Sequence, residues 1–187
     1  MDVEVVVRAQ AGDQDAFTDI ATALYSRLHR VAQSLLSDIG LAEDATQHTV
    51  LEMWRTLPQL RDPAKLEAWA HRILVNACRR EGRKAKRWIT ALTPAPEEDP
   101  RATSSFSAVA HRDQLERAFR RLSPEQREVV VLHHYVSMPL REVADVLQIP
   151  TGTAHSRLNR AMSTMRAALE ADDRLPEAPM TPREAAR

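Results

Sequence analysis

Phe17, Ile20, Leu24, Leu28, Val31 and Leu35 recur at steps of three and four, which lines them up on one helix face for about five turns. A stripe of that length must be buried against another element, so the chain is committed to packing helices side by side. The period returns twice more. Ala42, Ala45, Thr49, Val50, Met53, Trp54 and Leu57 predict a helix over 41–57 that stops at Pro58. Leu66, Trp69, Ala70, Ile73 and Ala77 then form the stripe of a third helix, opened by a cap and first-turn proline at Asp62-Pro63. Upstream, Gly12 ends a short helix carrying Val3, Val6 and Val7, and Asp13 caps the long one that follows.

Composition points the same way. Four glycines and few aromatic residues, among many Ala, Leu, Arg and Glu, favour helices over sheet. The expected fold class is all-α. At 187 residues the chain suits two small helical domains, and after Trp88 the run ITALTPAPEEDPRATSSFSA loses the apolar period, so residues 89–108 read as a flexible linker that leaves the two halves weakly packed on each other. The domains expected are thus 1–88 and 109–170, with 171–187 a disordered tail.

In the second half, Leu115, Ala118, Phe119 and Leu122 form a stripe, and Ser123-Pro124-Glu125-Gln126 reads as a capping box with proline at the first helical position. A short helix over Leu140–Leu147, a tight connection at Gln148-Ile149-Pro150 and a longer helix with Ala154, Leu158, Ala161, Met165 and Leu169 inward make a helix-turn-helix pattern. The second helix of that motif enters the major groove by its first turns. Here those turns carry Thr151, Thr153, His155, Ser156, Arg157 and Arg160, all hydrogen-bond donors. An ordinary helical hairpin with a solvated polar face remains open on pattern alone.

Charge is balanced overall, with 26 basic and 26 acidic side chains, but unevenly distributed. Residues 1–58 carry nine acids and four bases, whereas 59–88 carry nine bases and three acids. Lys65, Arg72, Asn76, Arg79 and Arg80 stand opposite the apolar stripe, and Arg83, Lys84, Lys86 and Arg87 continue the run. Such a face is either solvated or met by a polyanion such as nucleic acid.

Cys78 is the single cysteine, which leaves no intramolecular disulfide and no cysteine pair for zinc. Beside a buried stripe it is expected to pack as a small apolar group. Trp54 and Trp69 are expected in the core. His133-His134 has no partner at metal-ligand spacing, and no P-loop, dinucleotide or nucleophile motif occurs, so no metal, cofactor or catalytic residue is expected. No apolar run approaches the roughly 20 residues of a membrane span, and the start MDVEVVVRAQAGDQD has no signal-peptide pattern. A cytoplasmic protein without membrane insertion is expected.

AQAGDQDAF, LAEDATQHTVLEMW, LEAWAHRILVNACRR, LSPEQREVVVLHHYVSMPLREVADVL and IPTGTAHSRLNRAM together resemble, in order, the region 2 and region 4 blocks of extracytoplasmic-function (ECF) sigma factors of the sigma-70 family. The resemblance implies a sigma factor whose partners are core RNA polymerase, promoter DNA and an anti-sigma factor. It implies that Glu43, Asp44 and Gln47 dock on the clamp helices of the polymerase largest subunit, and that region 4 also touches the flap. It implies a minus-ten pocket loop at Leu60–Ala64, with Arg61, Asp62, Lys65, Arg72, Asn76, Arg79, Arg80 and Arg83 toward DNA. The minus-thirty-five element falls to Thr151, Thr153, His155, Ser156, Arg157 and Arg160.

The chain departs from the family pattern at His48, where an acid is usual, at Val50, where an aromatic is usual, at Gln148 in place of glycine, and at His155 in place of lysine. A stand-alone helix-turn-helix regulator is the competing reading, and it would bind duplex DNA without polymerase.

Overall fold

The computed structural model describes residues 2–92 and 108–173, and the regular structure among them is helical throughout. Helix α1 spans Val3–Gln10, α2 Gln14–Leu36, α3 Ile39–Thr56 and α4 Leu66–Leu92. The second half contributes α5 (Ala108–Arg120), α6 (Pro124–Val130), α7 (Leu140–Leu147) and α8 (Thr151–Asp173).

Helix starts follow the local chemistry. Asp13 accepts from the Ala16 N–H at 3.0 Å, Asp38 from Leu41 at 2.8 Å and Asp62 from Ala64 at 3.1 Å, each satisfying an otherwise orphan first-turn donor. The capping box forms in both directions, Ser123 N–H to Gln126 Oε1 at 2.9 Å and Gln126 N–H to Ser123 Oγ at 3.3 Å. Between α1 and α2 the backbone turns through Gly12 at φ 95°, a conformation that glycine alone reaches without cost. Pro58 and Pro63 each sit in a 3₁₀ turn, Leu57–Gln59 and Pro63–Lys65, so α3 passes to α4 through two tight turns.

Beyond α6 the backbone widens into a π turn over Val131–Tyr135, closed by Val136 N–H on the Val131 carbonyl at 3.0 Å. Helix α7 ends on Gln148 in the left-handed region, φ 57° and ψ 44°, with the Ile149 N–H reaching back to the Ala144 carbonyl at 3.0 Å. This is the Schellman closure usually made with glycine.

Helices α2, α3 and α4 pack on one another, with Ile20, Leu28, Val31, Ala42, Ala45, Met53, Leu66 and Leu74 fully buried. The core does not stop at the linker. Val129, Val131, Leu132, Val143 and Val146 belong to the same buried cluster, and α7 lies against α4. The expectation of weakly packed halves is therefore corrected: apolar side chains of α6, the π turn and α7 find their cover on α2 and α4. Leu122, Val130 and Ala161 form a smaller cluster that seats α8.

Other expectations shift as well. Helix extends through Leu92 and to Asp173, into segments read as linker and tail; residues 93–107 and 174–187 lie outside the described residues. Trp54 is 40% exposed rather than buried, with its ring edge-on to Phe17 at 4.9 Å between centroids. Leu115 is half exposed, and Trp69 and Ile73 are half-buried. The inward line of α4 is Leu66, Ala70, Leu74, Ala77 and Cys78, one helical position round from the stripe expected.

Candidate nucleic-acid interface

The turn between α3 and α4 is held by its neighbours on every side. Leu60 N–H bonds the Leu57 carbonyl at 3.0 Å, Lys65 N–H bonds the Asp62 carbonyl at 3.0 Å, and the Gln10 side-chain amide bonds the carbonyls of Leu57 and Leu60 at 3.1 and 2.7 Å. The loop Leu60–Ala64 thus leaves a fixed base and opens outward, with Arg61 and Asp62 exposed.

A groove of about 1130 Å³ starts at this loop. Arg61, Asp62, Lys65, Arg72, Asn76 and Arg80 line it from the α3–α4 side, floored by Trp69 and Ile73. An apolar floor with cationic rims suits bases stacked or turned out of a strand while phosphates run along the edge. Of the eight residues expected here, Arg83 is exposed further along α4. Arg79 is turned to another use: its Nε and Nη2 donate to the two Glu128 carboxylate oxygens at 2.7 and 2.6 Å. That pair ties α4 to α6 and occupies both Nε and Nη2 of Arg79.

The opposite wall of the groove belongs to the second half, with Pro139, Arg141, Glu142, Asp145 and Val146. The two acids of α7 face the basic wall of α4, which is favourable in sign. Arg127 adds a second tie, donating to the Leu35 carbonyl and Ser37 Oγ, each at 3.2 Å.

Glu81 is buried with three basic side chains beside it: Lys84 Nζ at 2.9 Å, His48 Nδ1 at 3.4 Å and Arg80 Nε at 3.5 Å. Burial alone would raise its carboxyl, but Lys84, His48 and Arg80 together hold it below the usual range. His48, the departure from an acid, is thereby accounted for as a contact of α3 with α4. Cys78 is buried as expected, and burial pushes its thiol up to about 12.

On α3 the side chains of Glu43, Asp44 and Gln47 are exposed, with Gln47 donating to Glu43 at 3.4 Å. Leu51 and Trp54, 52% and 40% exposed, continue the same helix face. Sequence reading missed this apolar extension because Trp54 was counted in the inward stripe and Leu51 was assigned no role, and only the packing of α2 and α4 decides which side of α3 is covered.

The helix-turn-helix forms from α7 and α8. Ala154 and Ala161 are buried beneath α8, leaving Thr151, His155 and Arg160 exposed and Thr153, Ser156 and Arg157 half-buried. Ser156 donates its hydroxyl to the Thr153 carbonyl at 3.0 Å. Arg157 lies near Glu125, whose carboxyl is held low chiefly by its own N–H and the Ser123 hydroxyl, with Arg157 adding attraction. All six side chains occupy the first three turns of one helix.

Among the described residues no group of three or more His, Cys, Asp or Glu is disposed to hold a metal, and no helix is long and apolar enough to cross a membrane.

Comparison with known proteins gives these surfaces a context. Residues 20–88 match sigma-70 region 2, and residues 112–165 match sigma-70 region 4. The chain is 32% identical over 169 residues to the ECF RNA polymerase sigma factor SigM of Mycobacterium tuberculosis, covering 88% of this chain and 82% of that one. It is 30% identical over 165 residues to an RNA polymerase sigma-E factor of Streptomyces antibioticus, covering 87% and 89%. Among solved structures, CnrH in complex with the cytosolic domain of CnrY superposes with a TM-score of 0.66 at 28% identity, over 91% of this chain and 98% of that one. With two family regions in order and a relative matched along most of both chains, this protein belongs to the extracytoplasmic-function sigma factors of the sigma-70 family, which direct RNA polymerase to particular promoters.

Proposed function

We propose that the chain divides promoter recognition between its two halves. The observation that carries this reading is the groove, where Arg61, Lys65, Arg72, Asn76 and Arg80 rim an apolar floor of Trp69 and Ile73. In this reading the loop Leu60–Ala64 receives a base turned out of the minus-ten element, and the cations hold the melted strand by its phosphates. Thr151, Thr153, His155, Ser156, Arg157 and Arg160 read the minus-thirty-five duplex in its major groove. Glu43, Asp44 and Gln47 dock α3 on core polymerase, and Leu51 and Trp54 extend that contact with apolar area.

The work done is recruitment and strand separation in the cytoplasm, without covalent chemistry by this chain. A basic minus-ten groove separate from the recognition helix distinguishes this from a stand-alone regulator, for which the groove would have no use. An anti-sigma factor is the natural regulator, as CnrH and the RpoE of Bartonella quintana were each solved in complexes with other proteins, the latter with the anti-sigma factor NepR. Runoff transcription with purified core polymerase on pooled genomic promoters tests the proposal. Specific transcripts that depend on this chain are expected; duplex binding without polymerase and no transcripts would favour the regulator.

A further inference from the structure

We propose that Gln10 is a positioning residue for minus-ten recognition: it sets the base of the pocket loop from α1, an element that precedes the matched region 2 segment at residues 20–88. The inference rests on the reading of Leu60–Ala64 as the pocket loop.

Helix α1 has few ways to move. Val6 and Ala9 are buried, Arg8 is paired with Asp13 through Nε at 2.9 Å, and the Gly12 turn joins α1 directly to the capped start of α2. It packs against both 3₁₀ turns that flank the loop. From its last turn the Gln10 amide reaches across 47 and 50 residues of sequence to the carbonyls of Leu57 and Leu60.

Those two oxygens matter because of where they lie. The Leu57 carbonyl also accepts from Leu60 N–H, so one amide grips both ends of the turn that launches the loop. Downstream, the loop is fixed by the Asp62 cap on Ala64 and by Lys65 N–H on the Asp62 carbonyl. Between these two anchors only Arg61 and its neighbours are free to adjust to a base. Without the Gln10 amide the upstream anchor loses two hydrogen bonds: the Leu60 carbonyl loses this donor, and the Leu57 carbonyl keeps only that of Leu60 N–H. A pocket that must hold a base in one pose is sensitive to such loosening, whereas phosphate contacts along the groove are not.

Gln10→Met keeps the length of the side chain and removes both donors. The test uses the full chain and a promoter recovered from the runoff pool, made in four versions at each minus-ten position. Two readouts are taken. Hydrogen–deuterium exchange should speed up in the peptide spanning 58–65 while α2 stays protected. In transcription with core polymerase, the ratio between the preferred and the other three bases should shrink by about three- to tenfold at one position, with core affinity and upstream-element dependence unchanged. Gln10→Ala, which removes the packing as well, should show at least as large a loss of discrimination.

If exchange in 58–65 is unchanged in both variants, Gln10 does not anchor the loop, and the inference fails while the pocket loop stands. If exchange rises but the four templates keep their ratios, the loop itself is not the base reader, and the inference falls with that reading. A uniform drop on all four templates would mean that Gln10 supports folding alone, and it too overturns the proposal.

Discussion

The Arg79 guanidinium gives two parallel hydrogen bonds to the Glu128 carboxylate, 2.7 and 2.6 Å long, joining α4 to α6 across 49 residues of sequence. Glu128 is buried and Arg79 about a third exposed, so the pair is shielded from solvent on one side and its geometry is the bidentate form that outlasts screening. Arg79 is held above its ordinary value chiefly by this hydrogen bond. The same two halves also meet where α7 lies against α4, which sets Glu142 and Asp145 on the wall of the groove opposite Arg72 and Arg80.

The closed packing should therefore be electrostatically adjustable. Glu128→Gln combined with Asp145→Lys removes the pair's charge and sets a cation opposite Arg72 and Arg80. Small-angle scattering of the free wild-type chain should give a radius of gyration near the ~16 Å of a compact chain of this length, and the double variant a larger one with unchanged helix content. Equal radii would show that these contacts do not hold the halves together. In a double-mutant cycle with Arg79→Ala and Glu128→Ala, urea denaturation should report a coupling of about 1–3 kcal/mol.

Docking on core polymerase should separate from stability on α3. Leu51→Ala removes an exposed side chain and should change unfolding free energy by less than about 0.5 kcal/mol, yet weaken binding to core. Replacing Glu43, Asp44 and Gln47 together by Ala should weaken it further without unfolding the protein. A pull-down at physiological salt in which neither variant loses affinity would remove α3 as the docking helix.

Gln148 occupies a left-handed position at φ 57°, where an L side chain costs about 1 kcal/mol relative to glycine. Gln148→Gly should stabilise the chain by roughly that amount in chemical denaturation, with the usual entropy of a flexible unfolded glycine setting the upper limit. A destabilised variant would mean that the Gln148 side chain makes a compensating contact.

His71 brings a pH dependence. Its Nδ1 faces the Glu67 carbonyl at 2.7 Å, its Nε2 is buried without a partner, and burial, aided by Arg27, holds its pKa below the ordinary imidazole value. The unfolded chain then binds more protons than the fold in the window just below about pH 6.5. Stability from His71 is complete above that value and is lost as pH falls toward the folded pKa. Unfolding curves between pH 7.5 and 5.5 should show a smaller loss for His71→Phe than for wild type; identical losses would exclude His71 as the source.

What could be read from the sequence was what neighbours in sequence decide. The Asp13 and Asp62 caps, the Ser123-Gln126 box, the Gly12 turn and the helix-turn-helix each depend on residues within a few positions of one another, and the structure forms all of them. The stripe of α2 was equally legible because eight residues share one unambiguous face. The errors fall where distant contacts choose between equivalent faces. Trp54 fits an inward period but faces outward, and Trp69 and Ile73 floor a groove; the pairing of Arg79 with Glu128 is likewise one that no local pattern could nominate. Gln10 gave no signal, since an amide at the end of a short amphipathic helix looks like any solvated residue. The uneven charge of the first 88 residues corresponds to a groove rimmed by cations of α4 and to exposed acids on α3.

The central claim, that one half reads bases upstream while the other grips a melted strand, is tested most directly by transcription with core polymerase from paired templates that differ only in the upstream element, across a salt series. Arg157→Ala and Arg160→Ala should each lower activity on the intact template by about 5- to 100-fold, the equivalent of one lost bidentate base contact, and change activity little on the scrambled one. Neutralising Arg80 and Arg83 should lower both templates alike and flatten the salt dependence. Equal losses on both templates for the Arg157 and Arg160 variants would contradict the account, because the recognition helix would then be holding phosphates rather than reading sequence.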